Sequence, residues 1–352
     1  MISASGPIII NLDSISISTE EKDLLSSNLI GGVILFSHNY ANKKQIKSLI
    51  SSIKEIRDNI IICIDHEGGR IQRFKNEFTS LPSFQVIGNL YSIDKTKAED
   101  LAYYSGYIAG YELKDIGIDI NFSPVVDLTS KSSVLNSRTF SNNPNVVVDL
   151  ACKYIQGYVD NGIIPTLKHF PGHGVITTDT HTDISYCNLS SEQLDSHIYT
   201  FQNIHTKIKI PIMTGHIIYP KVSDQPVTSS SKWLRVISNN IFSQKPFFIS
   251  DDLEMKGISD HFKNESRLNI FQKVLSSGCD MSIITTMQNQ KLIEEKKSYH
   301  FYQKEFIEPL GKSGNYEASD ISIPYSDDIS YNIGDFDVYK NAIKYLKNIS
   351  LN

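Results

Sequence analysis

The sequence predicts an α/β protein: a single (β/α)8 TIM-type barrel with an irregular C-terminal tail. Two observations predict this fold. Eight short apolar segments rich in Ile, Val and Phe alternate with amphipathic helical segments, which is typical of a parallel sheet buried on both faces. Polar residues follow four of the eight segments, at the positions where a barrel of eight strands carries its functional groups.

The elements follow one another at regular intervals. The predicted strands cover residues 7–12, 32–36, 60–65, 118–122, 163–169, 210–216, 247–251 and 281–285. The predicted helices cover 43–57, 98–116, 146–161, 190–207, 229–242 and 266–277. An open, doubly wound sheet is the alternative, but no Gly-x-Gly-x-x-Gly follows the first strand, which disfavours a dinucleotide-binding version of it.

Beyond about residue 300 the alternation fades into a segment rich in Tyr, Ser and Asp. We therefore divide the chain into a barrel domain, residues 1–300, and a C-terminal tail, residues 301–352, that packs on the barrel. A short helix is expected around residues 337–346.

Composition excludes several classes of protein. The chain has 352 residues and a net charge of −5, which gives no reason to expect nucleic acid or an anionic membrane as a partner. No apolar run approaches the roughly 20 residues that span a bilayer. The N-terminus lacks a basic region and is interpreted as a first strand, and the four cysteines form no CxxC pair. We expect a cytoplasmic monomer without disulfides.

The segment after the fifth strand concentrates groups suited to catalysis. Lys168 and His169 end the strand, a turn rich in Gly follows, and Asp179 then precedes His181 by two residues. An Asp in this position can hydrogen-bond the imidazole and favour its protonated form. His173 is expected to brace the turn. This segment is an active-site candidate.

Three other predicted strands also end in polar residues. One ends at Asp65, which is followed by further polar residues up to Arg70. The second ends at His216, and the third ends at Asp251, which is followed by Asp252. Arg70 is expected to pair with Glu67 or another carboxylate. The end of a buried strand would hold Asp251 rigidly, as a nucleophile requires. Capping a helix after Ser250 is the alternative role for Asp251, and Asp252 could fill either role.

Six motifs carry a resemblance to a known family, at residues 31–36, 65–74, 121–127, 168–174, 213–216 and 250–257. In them the chain resembles the glycoside hydrolase family 3 β-N-acetylglucosaminidases of bacterial peptidoglycan recycling. The resemblance implies a retaining exo-hydrolase, without metal or cofactor, that removes GlcNAc from muropeptides. It makes Asp251 the nucleophile and His181, with Asp179, the general acid/base. It makes Asp65, Arg73, Arg138, Lys168 and His169 sugar-binding residues, and we add His216 to the substrate-binding set.

Three alternatives stay open at this point. The cluster of His and Asp could bind a metal, as in TIM-barrel metallohydrolases. A phosphorylase of the same family would pass the glycosyl group to phosphate instead of water. A sugar-binding protein without activity could use the same barrel.

Overall fold

The computed structural model describes residues 2–129, 135–173, 183–286, 301–313, 321–323 and 335–349. The strands are β1 (Ile2–Ala4), β2 (Ile8–Asn11), β3 (Ile30–Leu35), β4 (Ile61–Ile64), β5 (His66–Gly68), β6 (Ile71–Gln72), β7 (Ile120–Asn121), β8 (Ile164–Pro165), β9 (Leu167–Phe170), β10 (Ser185–Tyr186), β11 (Ile212–Thr214), β12 (Ile217–Ile218), β13 (Phe248–Ser250), β14 (Met281–Ile283) and β15 (Ile321–Ile323).

The helices are α1 (Thr19–Leu25), α2 (Lys43–Ile56), α3 (Phe84–Tyr91), α4 (Lys95–Ile116), α5 (Pro144–Val159), α6 (Ser191–Lys207), α7 (Ser238–Ile241), α8 (Lys256–Ser259), α9 (Arg267–Ser277), α10 (Glu308–Ser313) and α11 (Phe336–Ile349). Short 3-10 turns span Ser37–Asn39, Asn136–Arg138 and Val227–Ser229, and π-helical turns span Lys232–Ile237 and Gln303–Ile307. Within these described ranges, no helix is both long enough and apolar enough to cross a membrane.

The central sheet is a nearly closed parallel barrel. Its strand order is β8-β7-β4-β3-β2-β14-β13-β11-β9, and the two end strands, β8 and β9, are pieces of one segment separated by Thr166. On one side this segment pairs Ile164 with β7, and on the other side it pairs Leu167 with β11. The eight predicted strands are all present, and the predicted barrel is confirmed.

The apolar composition of the strands explains why they lie inside. β2, β3 and β4 are buried at every position, because helices cover the outside of the barrel and side chains fill its interior. Seven of the described helices begin at a polar residue whose side chain accepts a hydrogen bond from a backbone N–H of the first turn, including Asn42, Asn143, Ser190 and Ser266. The alternation of apolar strands and capped helices therefore accounts for the architecture.

Helices α4 and α5 pack unusually closely. A Cβ placed on Gly106 would come within 2.0 Å of the Tyr154 carbonyl oxygen, so only glycine permits this approach. The approach matters for the site because α5 carries Tyr154 and Tyr158. Their hydroxyls donate to the backbone carbonyls of Glu67, at 3.0 Å, and of His66, at 3.1 Å.

Some elements differ from the sequence predictions. The helix predicted over 229–242 is present from 231 to 241, where the π-helical turn Lys232–Ile237 runs directly into α7, and a 3-10 turn precedes it. Helices α1 and α3 and the antiparallel hairpin β5–β6 were not predicted. They are too short to produce a clear hydrophobic period, and the hairpin follows β4 after the single residue Asp65.

Parts of the segment beyond residue 300 contact the barrel. The Tyr302 hydroxyl donates to Asn11 Oδ1 at 2.7 Å, at the end of β2. Helix α11, which contains the predicted helix around 337–346, packs on α4, where the Tyr339 ring stacks on Tyr111 at 4.4 Å and its hydroxyl donates to Glu112 at 2.7 Å. A division of the chain at residue 300 stays a prediction.

Candidate active site

Three charged side chains meet at the carboxyl end of β4. Asp65 Oδ1 lies 2.8 Å from Lys168 Nζ, and Oδ2 lies 3.1 Å from Arg73 Nη2. Burial by itself raises the pKa of Asp65, but the charges of Lys168 and Arg73 outweigh it and hold the pKa well below its usual range. Arg73 Nε is buried and has no hydrogen-bond partner among the described residues. Asp65 is therefore ionised and held by two cations.

Glu67, in β5, extends this cluster. Its Oε1 lies 2.8 Å from Lys168 Nζ and 2.7 Å from Arg138 Nη2, and its Oε2 lies 2.9 Å from Arg138 Nε. Burial raises the pKa of Glu67, but the charges of Arg138 and Lys168 overcome it and lower the pKa to about 2. Lys168 is only 2% exposed and has its pKa raised, because the two carboxylates outweigh the effect of burial. Glu67, Arg138 and Lys168 are therefore all charged and hold one another in position.

A second cluster surrounds the buried carboxylate of Asp127. Its Oδ2 lies 2.8 Å from His169 Nδ1, and its Oδ1 accepts a hydrogen bond of 2.6 Å from the backbone N–H of His173. Burial raises the pKa of Asp127, yet these contacts bring it below its usual value. Because an ionised carboxylate only accepts, His169 Nδ1 is the protonated nitrogen. The backbone of His173 thus binds Asp127, and the bracing role of its side chain stays a prediction.

Asp251 and Asp252 have different surroundings. Asp251 directly follows β13 at the carboxyl edge of the barrel and is partly exposed. Asp252 is buried: its Oδ1 accepts from the backbone N–H of Thr285 at 3.0 Å and of Glu254 at 3.1 Å, and its Oδ2 accepts from the Thr285 hydroxyl. Burial raises the pKa of Asp252 to about 7. Of the two carboxylates, Asp251 is the more accessible.

The imidazole of His216 lies beside this pair and is 1% exposed. Its Nδ1 lies 2.9 Å from Thr228 Oγ1, and its Nε2 lies 2.9 Å from the backbone carbonyl oxygen of Asp252. Both ring nitrogens are thus engaged by protein atoms.

The structure brings together Asp65, Arg73, Arg138 and Lys168 as one ion cluster, and it positions His169 through Asp127. Asp251 and His216 lie together at the ends of the neighbouring strands β13 and β11. The proposed acid/base residue His181 and its partner Asp179 lie outside the described residues. Arg70 is exposed, and the carboxylate of Glu67 binds Arg138 and Lys168.

Two carboxylates that organise the site were not predicted from the sequence. Glu67 was considered only as a partner of Arg70, and Asp127 only as the end of a motif. Each follows a buried strand within a few residues, and this position was the available signal. Among the described residues, no three His, Cys, Asp or Glu side chains are arranged to hold a metal ion.

Comparisons with known proteins agree on one family. Residues 8–307 match the model of the glycosyl hydrolase family 3 N terminal domain. A protein named β-hexosaminidase from Psychromonas ingrahamii is 34% identical over 325 residues, which cover 87% of this chain and 94% of the relative. A β-hexosaminidase from Haemophilus influenzae is 33% identical over 305 residues, 83% of this chain and 85% of the relative.

Solved structures are similar over nearly the whole chain. The crystal structure of native NagZ from Neisseria gonorrhoeae has a TM-score of 0.80 at 27% identity and covers 98% of both chains. NagZ from the same organism in complex with N-trifluoroacetyl-D-glucosamine has a TM-score of 0.75 at 28% identity, covering 97% of this chain and 90% of that one. The barrel, the carboxylate at the end of β13 and these likenesses lead to one conclusion: the chain belongs to glycosyl hydrolase family 3 and is a glycoside hydrolase of the β-hexosaminidase class.

Proposed function

We propose that the protein is a retaining exo-β-N-acetylglucosaminidase. It removes the terminal, non-reducing GlcNAc from cell-wall muropeptides of the GlcNAc-1,6-anhydroMurNAc type, through a covalent glycosyl-enzyme on Asp251. The observation that carries the proposal is the accessible carboxylate of Asp251 at the carboxyl edge of a barrel that also holds a fixed cluster of charged hydrogen-bonding groups.

The charged cluster suits a polyhydroxylated ring. Asp65 can accept hydrogen bonds from sugar hydroxyls, and Arg73, Arg138 and Lys168 can donate to hydroxyl or acetamido oxygens. Because ion pairs already fix these side chains, they lose little conformational entropy when a sugar binds. The N-acyl glucosamine bound to the N. gonorrhoeae protein supports a ring of the same class as the ligand here.

The proposed chemistry needs two groups on opposite faces of the anomeric carbon. In the first step an oxygen of Asp251 forms a bond to this carbon, the glycosidic C–O bond breaks, and His181 gives its proton to the departing oxygen. In the second step water attacks the same carbon, His181 takes up the proton of the water, and the ester to Asp251 breaks. Asp179 favours the protonated imidazole before the first step.

Trapping the intermediate tests the proposal. A 5-fluoro glycosyl inactivator of the GlcNAc series should add one glycosyl mass to the protein, and peptide mapping should find the ester on Asp251. An ester on another residue would contradict the nucleophile assignment. The anomeric configuration of the first product, followed by NMR, should be β, since inversion at both steps retains it.

Two comparisons define the substrate and the acceptor. Release of GlcNAc from a GlcNAc-anhydro-muropeptide should exceed release from chitobiose, and the reverse order would reject the muropeptide. Equal rates with and without phosphate are expected if water is the acceptor, whereas a glycosyl phosphate product would favour the phosphorylase. Full activity in EDTA is expected for a reaction without metal.

We also infer a monomer in the cytoplasm with the tail, 301–352, packed on the barrel domain, 1–300.

A further inference from the structure

The tautomer of His216 follows from its partners. A carbonyl oxygen only accepts, so the Nε2 atom that lies 2.9 Å from the Asp252 carbonyl carries a proton. The Nδ1 atom of His216 lies 2.9 Å from Thr228 Oγ1, and the Thr228 hydroxyl also lies 3.0 Å from the Gly215 carbonyl oxygen. The ring therefore links the 3-10 turn Val227–Ser229 to the backbone just after the proposed nucleophile.

Asp252, whose backbone carbonyl His216 binds, is anchored at further points. The Asp252 carboxylate binds Thr285, beyond the end of β14, through both the backbone N–H and the hydroxyl. It also accepts from the backbone N–H of Glu254. The backbone N–H of Asp252 points to the neighbouring side chain and donates to Asp251 Oδ1 at 2.9 Å. Fixing Asp252 thus fixes a donor that orients the Asp251 carboxylate.

We propose that His216 is a positioning residue for Asp251 and not a sugar-binding residue. It holds the backbone of Asp252 at its carbonyl, and the N–H at the other end of the same residue keeps one oxygen of Asp251 hydrogen-bonded and the other directed at the anomeric carbon. This inference rests on the proposed role of Asp251 as nucleophile. Attack requires a near-attack geometry, and a small displacement of the attacking atom can cost on the order of 100-fold in rate.

The test separates positioning from binding. His216→Leu removes the donor to the Asp252 carbonyl and should lower kcat by about 10- to 100-fold. The KM of an aryl GlcNAc glycoside and the inhibition constant of GlcNAc should stay within about twofold, because no sugar contact is lost. The maximal rate at which the fluoro-glycosyl inactivator forms its ester should fall by the same factor as kcat.

His216→Gln is the conservative variant, since its side-chain amide can donate to the same carbonyl. It should recover most of the lost kcat. Thr228→Val, which replaces the hydroxyl by a methyl group of similar size, should give a milder loss of kcat and covers the case in which His216→Leu does not fold. His205→Leu is the matched control, because His205 is a buried histidine on α6 that packs against Phe242. It should lower stability and leave kcat unchanged.

Two results would overturn the inference. One is a rise in KM and in the GlcNAc inhibition constant with kcat unchanged in His216→Leu, which would make His216 a sugar-binding residue. The other is an equal loss of kcat in the Leu and Gln variants, which would show that the donor to Asp252 is not responsible. Measuring Asp251→Asn in parallel separates failure of this inference from failure of the proposed function. An active Asp251→Asn would show that Asp251 is not the nucleophile, whatever the result for His216.

Discussion

The carboxylate of Glu67 and the guanidinium of Arg138 form a two-bond ion pair, with Oε1–Nη2 at 2.7 Å and Oε2–Nε at 2.9 Å. The Glu67 side chain is 1% exposed and that of Arg138 is 17% exposed, so water screens the pair weakly. The same carboxylate also binds Lys168. Glu67 therefore holds two of the proposed sugar-binding cations without itself being predicted to bind sugar.

Glu67→Gln should lower the free energy of unfolding by about 3 kcal/mol, because it leaves two largely buried cations with one carboxylate fewer. KM should also rise, since Arg138 and Lys168 lose the group that fixes them. Urea unfolding and steady-state kinetics measure both effects. The control is Asp115→Asn, which breaks the Asp115–Lys47 pair, 46% exposed on both sides, and should change stability by less than about 0.5 kcal/mol. Equal losses of stability in the two variants would contradict the expectation that a buried ion pair contributes more than an exposed one.

Asp251→Asn should lower kcat/KM by about 1000-fold or more, because the nucleophile is lost. Asp252→Asn should leave measurable activity, since the Asp252 side chain binds Thr285 and affects catalysis only by positioning Asp251. An activated aryl glycoside is a suitable substrate for both variants. If Asp252 proves the more damaging position, the assignment of the nucleophile is wrong.

Asp252 should make stability depend on pH. Burial raises its pKa in the folded protein to about 7, above the usual value of 3.8, so folding favours the neutral acid. The stabilisation is fully present below pH 3.8 and is lost as the pH rises through about 7. From pH 5 to pH 8 the wild type should thus lose about 2 kcal/mol relative to Asp252→Asn, which does not titrate.

Urea unfolding of both proteins at the two pH values measures this difference. A constant difference between them would mean that the donors from Thr285 and Glu254 keep Asp252 ionised over the whole range.

His181→Ala should lose far more activity on a natural disaccharide than on an activated aryl glycoside, because only a basic leaving oxygen needs a proton as the bond breaks. With the activated substrate the glycosyl-enzyme should accumulate, and azide, which needs no base, should restore turnover and give a β-glycosyl azide. Asp179→Asn should show a milder form of this pattern, with its pH optimum displaced to lower pH. Equal losses on both substrates without azide rescue would remove the acid/base role from His181.

Tyr339→Phe should lower the free energy of unfolding by about 1 kcal/mol, the usual net contribution of one hydrogen bond. The variant removes only the hydroxyl that donates to Glu112, which keeps its bonds from Thr79, and it retains the stacking on Tyr111. Tyr345→Phe is the control, since that hydroxyl makes an exposed bond of 3.3 Å to the Lys97 carbonyl. No difference between the two variants would argue against a structural role for the contact between α11 and α4.

Local patterns determined the barrel. Continuous apolar runs such as 60–65 and 247–251 can only be buried strands when helices alternate with them, and eight such runs close a barrel. Once the barrel is recognised, the polar residue after each strand, including Asp65 and Asp251, must lie at one edge. The family motifs added the roles proposed for these residues. Helices α1 and α3 and the hairpin β5–β6 were missed because short elements lack a readable period.

Only the tertiary structure decided which groups bind one another at that edge. Arg138 reaches Glu67 across 71 positions of sequence, and His169 reaches Asp127 across 42. Nothing in the local sequence specifies such partners, because they depend on how neighbouring strands and loops are aligned. His216 is a further example. Its position at a strand end could be predicted from the sequence, but its partners could not. That its Nε2 binds the backbone beside Asp251 follows from the pairing of β11 with β13, which brings the ends of these two strands together.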